Sequence, residues 1–578
     1  FLPMVMLRTG TGDFVRSMPV TVIFTLIASL VVSLTLTPFM ASRLLRRRDP
    51  SRRSRRMRPL HTFLRHQVNG PYRKTLGYAL THPGRVLVIA VIVFAGSLAL
   101  FPLVGVSLFP KAEKTQFLIN VDTPEGTSLN RTDEVAEMVE FALAEYDEIT
   151  SIATNVGHGN PRIYYNTFPK NETSTHAQLV VEASGGPDDV ARLVRELRGR
   201  FSRVAGAEIE VKEFLQGPPI GAPIEISVAG DDLAVLRQLA AEIEEIVAGT
   251  PGTIDVDNPS SRRRTDLKVA INRDKAGLLG IPLVEIDQTV RASMAGLSVG
   301  NFRDREGEDY DIVLRLPVEG RPSVRDFDRI SVPSVSGGRI PLRQAATLGF
   351  ESSQTQIEHR DLERAATVTA DVADGFNVAA VTEQIIDQLD ELSFPVGYRY
   401  ILGGEYESRE ESFGGMGQAL VIALLGIFGI LVLQFRSFSQ PLIVFAAIPF
   451  AITGAVLALL LTGYTFSFMA FIGLTSLVGI VVNNSIILVD YANMLRREGR
   501  SVVDAVREAG ESRFIPIVLT TLTTIGGLLP LTLQGSTLWS PMGWAIIGGL
   551  AMSTVLTLVV VPVLYRTMTP DTVEVPTA

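Results

Sequence analysis

Cysteine is absent from this 578-residue sequence, and only six histidines and two tryptophans occur in it. The absence of cysteine excludes disulfide bonds, thiolate metal sites and cysteine nucleophiles, and it fits either side of a bacterial inner membrane. The sequence also contains no hydrolase triad, no phosphate-binding P-loop and no dinucleotide fingerprint. We therefore expect no bound cofactor and no resident metal, and these absences disfavour ATP hydrolysis by this chain.

Charged side chains are scarce in seven stretches of the chain. Hydrophobic residues make up 46% of the sequence and charged residues 20%, and the mean hydropathy of +0.26 is too high for a soluble protein of this size. A membrane-spanning helix needs about 20 mostly apolar residues. The runs that approach or meet this length are 20–39, 86–106, 419–435, 442–461, 468–489, 515–533 and 542–564. The sequence thus predicts a polytopic α-helical membrane domain.

A strongly basic segment sets the predicted orientation. Residues 43–85 contain thirteen Arg or Lys residues and one acid, Asp49, directly beside two spans. Because basic residues accumulate on the cytoplasmic side, this segment is predicted to be cytoplasmic. Alternation of the spans then places the polar stretch 107–416 outside the cytoplasm. Nucleic-acid binding by the basic segment is the alternative, and its position between two spans disfavours it.

Inside the polar stretch, short strands and amphipathic helices replace the long apolar runs. A first β-α-β-β-α-β unit is predicted from the segments 116–122, 128–146, 149–155, 177–182, 188–204 and 208–214. A second unit is predicted from 224–229, 233–247, 253–257, 266–272, 366–372, 378–392 and 399–402, with an insertion at about 273–356. We therefore predict an α+β domain of ferredoxin-like split βαβ subdomains, which by itself defines no function.

Several motifs along the chain resemble those of one transporter family. They are Gly479-Ile-Val-Val-Asn-Asn-Ser-Ile-Ile-Leu-Val-Asp-Tyr-Ala, Arg513-Phe-Ile-Pro-Ile-Val-Leu-Thr-Thr, Gln434-Phe-Arg-Ser-Phe-Ser-Gln-Pro, Leu36-Thr-Pro and Asp274-Lys-Ala-Gly-Leu-Leu-Gly-Ile-Pro. Together these motifs extend over nearly the whole chain. On them the sequence resembles the resistance-nodulation-division (RND) efflux permeases, most closely the type that exports amphiphilic compounds.

The resemblance implies an RND transporter fold with twelve membrane helices in two pseudo-symmetric halves. It assigns 1–42 to the end of the fifth and to the sixth helix, 43–85 to a basic cytoplasmic linker, 86–106 to the seventh helix, 107–416 to a periplasmic porter domain with a docking or funnel insertion near 273–356, 417–566 to the eighth to twelfth helices and 567–578 to a cytoplasmic tail. The chain is accordingly expected to be a truncated, C-terminal portion of an inner-membrane transporter.

The resemblance also implies a proton relay in the membrane. Family members use an acidic pair on the fourth helix, and the polar cluster that faces it maps here to Asn483, Asn484 and Thr520, with Arg513 at the start of the eleventh helix. Many drug pumps of the family have a Lys where Asn483 stands. A carboxamide can hydrogen-bond a carboxylate but cannot neutralise it. Polar contacts between helices, without a relay, are the alternative interpretation.

A glycine-rich turn in the first α/β unit is a candidate substrate loop. Its residues are Gly157, His158, Gly159, Pro161, Tyr164, Tyr165 and Phe168. The resemblance implies that this loop separates a proximal from a distal substrate pocket, and aromatic faces suit amphiphilic substrates. The aromatic residues could equally belong to a strand core. His158 and His176 alone, without Cys or a Met cluster, are weak support for a metal site.

Small residues in the spans are predicted to let helices approach closely. The glycines concerned are Gly473, Gly479, Gly526, Gly527, Gly548 and Gly549.

These observations predict secondary active transport rather than enzymatic activity. We expect proton-driven export of amphiphilic compounds such as drugs, detergents or bile-salt-like molecules. The partners that the resemblance implies are protons, a homotrimer, a periplasmic adaptor protein and an outer-membrane channel, with no nucleic acid. A metal or lipid exporter of the same superfamily, or a non-transporting receptor or scaffold on this fold, are the alternatives.

Overall fold

A computed structural model of the chain describes residues 1–6, 9–44, 68–315 and 324–570. The chain forms two compact units. The main unit comprises Phe1–Pro259 and Glu358–Ala578, and the inserted unit comprises Ser260–Ile357. Most of the predicted basic linker (45–67) and most of the predicted tail (571–578) lie outside the described residues.

Long helices make up much of the main unit. In chain order the described α-helices are α1 (Leu2–Val5), α2 (Gly10–Val15), α3 (Ser17–Leu34), α4 (Leu36–Leu44), α5 (Arg73–Thr81), α6 (Pro83–Val104), α7 (Leu129–Leu143), α8 (Pro187–Phe201), α9 (Leu233–Gly249), α10 (Arg273–Leu278), α11 (Leu283–Met294), α12 (Val378–Asp390), α13 (Gly404–Phe435), α14 (Ser439–Phe445), α15 (Ala447–Thr462), α16 (Phe468–Arg497), α17 (Val502–Leu533) and α18 (Ser540–Met568).

Seven of these helical stretches are long and apolar enough to cross a membrane. They are α3 with α4, α6, α13, α14 with α15, α16, α17 and α18. Each predicted span overlaps one of them, so the prediction of seven spans is confirmed for the described part of the chain. Their numbering as family helices stays a prediction.

Glycine allows α15 and α18 to cross closely. A Cβ on Gly454 of α15 would lie 2.2 Å from the carbonyl oxygen of Gly548 on α18, and a Cβ on Gly549 would lie 2.1 Å from the side chain of Leu477. The predicted close-contact role is therefore confirmed for Gly548 and Gly549, and equally for Gly473, whose Cβ would lie 2.9 Å from the Met542 carbonyl oxygen.

For the other three glycines the described residues show no such contact, and a close-contact role for them stays a prediction. A Cβ on Gly479, Gly526 or Gly527 would meet no atom of the described residues within 4 Å. Residue type alone does not tell a covered helix face from an uncovered one, so the sequence pattern could not separate the two groups.

The strands form several small sheets. In chain order the described strands are β1 (Gln116–Asp122), β2 (Ile149–Val156), β3 (His176–Ala183), β4 (Glu208–Glu213), β5 (Ile224–Ala229), β6 (Thr253–Asp257), β7 (Arg263–Ile271), β8 (Leu297–Arg303), β9 (Asp309–Leu314), β10 (Ser331–Pro333), β11 (Arg339–Pro341), β12 (Ala346–Gln354), β13 (Glu358–Arg360), β14 (Glu363–Val372) and β15 (Arg399–Leu402).

The first α/β domain has the predicted β-α-β-β-α-β order. Its sheet is antiparallel with strand order β2-β3-β1-β4, which is the ferredoxin-like arrangement. Alternate residues of β1, namely Phe117, Ile119 and Val121, are fully buried and share a core with α7 and α8. Because side chains alternate across a strand, Asn120 projects from the opposite face of the sheet.

The second α/β domain repeats this topology. Its strands run β13-β14-β5-β15, and β6 also pairs with β14. The helices α9 and α12 pack on one face, where Ile226 and Val228 of β5 are fully buried. The second ferredoxin-like unit is thus present, and the inserted unit joins β6 to the strands β13 and β14.

The strand predicted at 266–272 does not belong to the second α/β domain. This strand is β7, and it pairs along its whole length with β12 of the inserted unit. The inserted unit accordingly begins at Ser260 rather than near residue 273. Its hydrophobic core includes Ile286, Val332 and Leu342, all fully buried.

Candidate functional site

The helices α16 and α17 form an antiparallel hairpin that carries all four predicted relay residues. The guanidinium carbon of Arg513, within α17, lies 4.5 Å from the centre of the Tyr491 ring of α16. The Nε atom of Arg513 is buried and has no hydrogen-bond partner among the described residues. Arg513 is therefore held by a cation–π contact rather than by an acid.

Asn484 and Thr520 lie at the same level of this hairpin. Asn484 is seven residues before Tyr491, and Thr520 is seven residues after Arg513, so each lies roughly 10 Å further from the turn. The helices pack there through one buried cluster that includes Val482 of α16 and Ile517 of α17. By helix rise, these two predicted relay residues lie at a similar distance along the hairpin from the Tyr491–Arg513 contact, and Arg513 lies about two turns away from them.

A strip of polar side chains is uncovered at this level. Asn484 is buried, whereas Asn483 and Thr520 are exposed, and Thr523 continues the exposed face of α17. We call Asn483, Thr520 and Thr523 the polar strip. Only 11% of the most apolar stretch of α17 is buried by the described residues, compared with 61% for α18. The polar strip therefore lies on a face that the described residues leave open.

The predicted substrate loop connects β2 to β3. Gly157 has a φ of 91°, which favours glycine, and a Cβ on Gly159 would lie 2.5 Å from the backbone nitrogen of Lys170. The two arms of the loop hydrogen-bond each other, with Gly159 N donating to Lys170 O at 3.1 Å. Both glycines are thus required by the loop geometry. Pro161 is exposed, and His158 Nδ1 contacts the Gly159 carbonyl oxygen at 2.7 Å.

Aromatic rings from the loop extend into a larger cluster. The ring of Tyr164 lies 4.9 Å from that of Phe214, and the ring of Tyr165 stacks on Phe14 at 5.8 Å. Burial, followed by the neighbouring Tyr165, raises the pKa of Tyr164 to about 12, so its hydroxyl stays protonated. Tyr164 and Tyr165 belong to an aromatic cluster that also contains Phe14 of α2, and no sequence pattern indicated the contribution of Phe14.

Phe168 and Arg162 form the exposed end of the loop. The Phe168 side chain is 60% exposed, and the guanidinium carbon of Arg162 lies 4.8 Å from its ring centre. Phe168 is therefore not part of a strand core, whereas Tyr164 is half-buried. Tyr164, Tyr165 and Phe168 all lie in the loop between β2 and β3 rather than in a strand, and their role in a substrate pocket stays a prediction.

A cavity of about 200 Å³ lies between the two α/β domains. Phe109, Leu215 and Phe376 supply apolar walls, and Asp371 supplies a carboxylate. Phe109 also contacts Phe14 edge-to-face at 5.6 Å, so the cavity and the aromatic cluster are continuous. The sequence did not indicate this cavity, because its residues come from segments that are far apart along the chain.

Four charged groups meet where the two α/β domains adjoin. Carboxylate oxygens of Glu210, Asp255 and Asp371 lie within 4.8 Å of one another. Lys212 Nζ lies 3.0 Å from Glu210 and 3.6 Å from Asp371. Burial lowers the pKa of Lys212, but these two carboxylates outweigh burial and raise its pKa above the ordinary value. We call these four residues the charged junction.

The histidines do not form a metal group among the described residues, where the charged junction is the single cluster of potential ligands. His176 is buried, and its Nδ1 lies 2.9 Å from Asp122, which also pairs with Lys170 at 2.6 Å. Burial raises the pKa of Asp122, but its hydrogen bond with His176 and the nearby Lys170 outweigh burial and lower it. His176 therefore helps to fix the end of the loop.

The fold is that of a multi-spanning membrane protein. It has seven helices able to span a membrane, a pair of ferredoxin-like domains between the second and third of them, and an inserted unit within the second of these domains. The chain matches the AcrB/AcrD/AcrF family over residues 1–569, and it therefore belongs to this family of RND efflux permeases. It is accordingly a multi-pass protein of the inner membrane.

Similar curated proteins have different stated substrates or roles. The swarming motility protein SwrC of Bacillus subtilis is 27% identical over 98% of this chain and 53% of its own length. The cobalt-zinc-cadmium resistance protein CzcA of Cupriavidus metallidurans is 26% identical over 98% of this chain and 54% of its own length. The multidrug resistance protein MdtC of Yersinia pestis is 26% identical over 98% of this chain and 55% of its own length.

A solved structure has the same fold. A heavy metal efflux pump superimposes with a TM-score of 0.71 and 22% identity, over 86% of this chain and 52% of the pump chain. At this identity the likeness shows the fold alone. The chain spans about half the length of the curated relatives it matches.

Proposed function

We propose that the full-length protein is a proton-driven exporter of amphiphilic compounds. Asn483, Asn484 and Thr520 are proposed to form its proton relay, with Arg513 about two helical turns from Thr520 on α17. The observation that carries this proposal is the polar strip, which lies on an uncovered face of otherwise apolar helices.

Polar groups that face lipid cost several kcal/mol when they have no partner. A carboxylic acid on a facing helix would meet this requirement, because Asn483 and Thr520 can both donate to a carboxylate and accept from its protonated form. Protonation would reverse the direction of one hydrogen bond and so change the preferred helix contact. In this way the polar strip could convert proton binding into helix movement.

The proposed substrate contacts are at the loop between β2 and β3. Tyr164 and Tyr165 present half-buried and exposed ring faces, and Phe168 is exposed at the end of the loop. Ring faces next to flexible polar backbone suit amphiphilic molecules of varied shape. The adjoining cavity, with apolar walls and the carboxylate of Asp371, extends this surface.

Alanine variants of Asn484 and Thr520 test the relay. We expect each variant of the full-length protein, reconstituted in proteoliposomes, to export an amphiphilic dye roughly tenfold or more slowly, because each removes a hydrogen bond to a charged group. Thr475→Ala is the matched control, since Thr475, like Thr520, bonds a carbonyl of its own helix, at 2.9 Å and 2.8 Å respectively. Undiminished export by both variants, with normal membrane insertion, would contradict the relay assignment.

Export of divalent metal cations is the second candidate, because relatives and a solved structure are named as metal resistance or heavy metal efflux proteins. The charged junction offers three carboxylates, but Lys212 lies beside two of them. Zn²⁺ transport in the same proteoliposomes distinguishes the candidates. Zn²⁺ export that Asp371→Asn abolishes would favour the metal substrate, and dye export without Zn²⁺ export would favour the amphiphile.

The oligomeric state and the partner proteins are proposed on the basis of family membership. We propose a homotrimer that works with a periplasmic adaptor protein and an outer-membrane channel. The segments 107–416 and 43–85 are proposed to be the periplasmic porter domain and the cytoplasmic linker.

A further inference from the structure

A row of polar side chains crosses the first sheet on the face opposite its helices. Asn155 of β2 is paired with Gln178 of β3, Gln178 with Asn120 of β1, and Asn120 with Glu210 of β4. Residues directly opposite in antiparallel strands project from the same face. These four side chains, which we call the polar row, thus cover the full width of the sheet.

Hydrogen bonds join the row in one direction. Asn120 Nδ2 donates to Glu210 at 2.7 Å, and Gln178 Nε2 donates to Asn120 Oδ1 at 2.8 Å. The backbone nitrogen of Asn160 donates to Gln178 Oε1 at 2.9 Å. A carboxylate only accepts and a backbone N–H only donates, so the two ends together fix the orientation of both carboxamides.

One end of the row holds the substrate loop. Asn160 is 4% exposed, although it lies in a loop, and its carboxamide donates to the Gln178 carbonyl oxygen at 3.1 Å and accepts from Asn155. Asn160 lies between Gly159 and Pro161, in the middle of the predicted turn. Gln178 therefore determines where this turn sits on the sheet.

The other end of the row reaches the charged junction. Glu210 accepts from Asn120 through Oε2 and from Lys212 through Oε1. Lys212 also pairs with Asp371 of β14, in the second α/β domain. Without the ammonium of Lys212, the repulsion between Glu210 and the carboxylates of Asp255 and Asp371 would be stronger, although Arg198 also lies close enough to act on Asp255, and Glu210 would move away from Asn120.

We propose that the polar row couples the charged junction between the two α/β domains to the conformation of the substrate loop. Gln178 and Asn120 are positioning residues in this account, because they act on the loop through Asn160 and contact no substrate themselves. When the two domains separate, Asp371 moves relative to Lys212 and Glu210 shifts. The carboxamides of Asn120 and Gln178 are then no longer held in one orientation. The loop then loses its hydrogen bond at Asn160 N. An effect on substrates rests on the proposed function of the loop, whereas the coupling itself does not.

Hydrogen–deuterium exchange of loop amides in the full-length protein tests the coupling without transport. Lys212→Met is expected to speed exchange of the backbone amides of residues 157–160 at least about threefold, because interacting residues in one network are coupled. Gln178→Glu keeps the acceptor for Asn160 N but loses the donor to Asn120. In that background Lys212→Met is expected to change loop exchange no further, and Asn120→Ala provides a second break in the row with the same expectation.

Two controls and two outcomes decide the proposal. Arg200→Met removes a 2.8 Å ion pair with Glu145 elsewhere in this domain and should leave loop exchange unchanged. Amides of β1 and β3 report whether each variant is folded. Loop exchange that stays at the wild-type rate in Lys212→Met would overturn the coupling. So would an equal acceleration by Lys212→Met with and without Gln178→Glu. Faster loop exchange in Lys212→Met together with unchanged dye export would contradict only the proposed substrate role of the loop.

Discussion

At the residue scale, Asp255 combines an uncommon backbone conformation with an unfavourable charge. Its φ is 51°, in the left-handed region that aspartate tolerates better than most residues. It lies opposite a register shift between β6 and β14, within the charged junction. Burial, then the nearby carboxylates of Glu210 and Asp371, raises the pKa of Asp255 from 3.8 to about 6.

The raised pKa predicts how stability depends on pH. Between pH 3.8 and about 6 the folded protein binds a proton at Asp255 that the unfolded chain does not, so the free energy of unfolding falls as pH rises through this window. Asp255→Asn removes the titrating carboxylate and therefore this decrease in the free energy of unfolding. We expect it to stabilise the protein at pH 7.5 by about 1 kcal/mol, a figure reduced for solvent screening because Asp255 is an exposed residue.

Thermal unfolding at two pH values checks this prediction. The variant should unfold at a higher temperature than the wild type at pH 7.5 and show no such gain near pH 4. Asp133→Asn, an exposed residue of α7, changes the net charge equally and should show no pH-dependent gain. A gain of the same size at both pH values would rule out the proton linkage.

The sequence identified some site residues and could not identify others. Gly157, Gly159 and Tyr165 were predicted from local turn and aromatic patterns, and the loop geometry explains each of them. Phe14 and Gln178 were not found, because their importance depends on partners that are distant in the sequence. Such roles follow from strand register and from helix packing, which a single sequence does not contain.

At the element scale, the crossing of α15 and α18 depends on the absence of a side chain. A Cβ on Gly548 would lie 2.3 Å from the Cβ of Ala458 and 2.5 Å from the carbonyl oxygen of Gly454. Relief would require backbone movement, because neither contact is with the end of a flexible side chain. The crossing is therefore sensitive to a single methyl group.

Gly548→Ala is expected to destabilise the membrane domain by about 1–3 kcal/mol, as overpacked cores do. Its unfolding temperature in detergent should fall, measured by loss of native fluorescence or by aggregation onset. Gly526→Ala on α17 is the matched control, because an added Cβ there meets no described atom within 4 Å. Equal stability of the two variants would show that the α15–α18 crossing is not tightly packed.

Strand patterns predicted elements better than they predicted partners. The period-two pattern at 266–272 correctly indicates a strand, yet β7 pairs with β12 in the inserted unit rather than with the second α/β sheet. Both environments require the same alternation, so the sequence could not distinguish them. By contrast, the β-α-β-β-α-β order of the first domain was predictable, since local order alone defines it.

At the scale of the whole molecule, several of the long apolar helices have large surfaces that the described residues do not cover. The chain spans about half the length of its curated relatives, and α3 with α4, α6, α13 and α17 are largely uncovered by the described residues. Thr520 and Thr523 of the polar strip lie on α17, and Asn483 is an exposed residue of α16. The family resemblance pointed to Asn483 and Thr520 in the sequence, whereas Thr523 and the exposure of all three side chains are seen only in the structure.

The central claim is that export by the full-length protein is driven by protons through the polar strip. The most direct test is to impose a pH gradient on proteoliposomes and record dye export together with proton movement. The account predicts coupled movement that stops when an ionophore collapses the gradient, and that Thr520→Ala uncouples or abolishes. Export that continues unchanged without a gradient, or proton movement that is the same with and without dye, would contradict it.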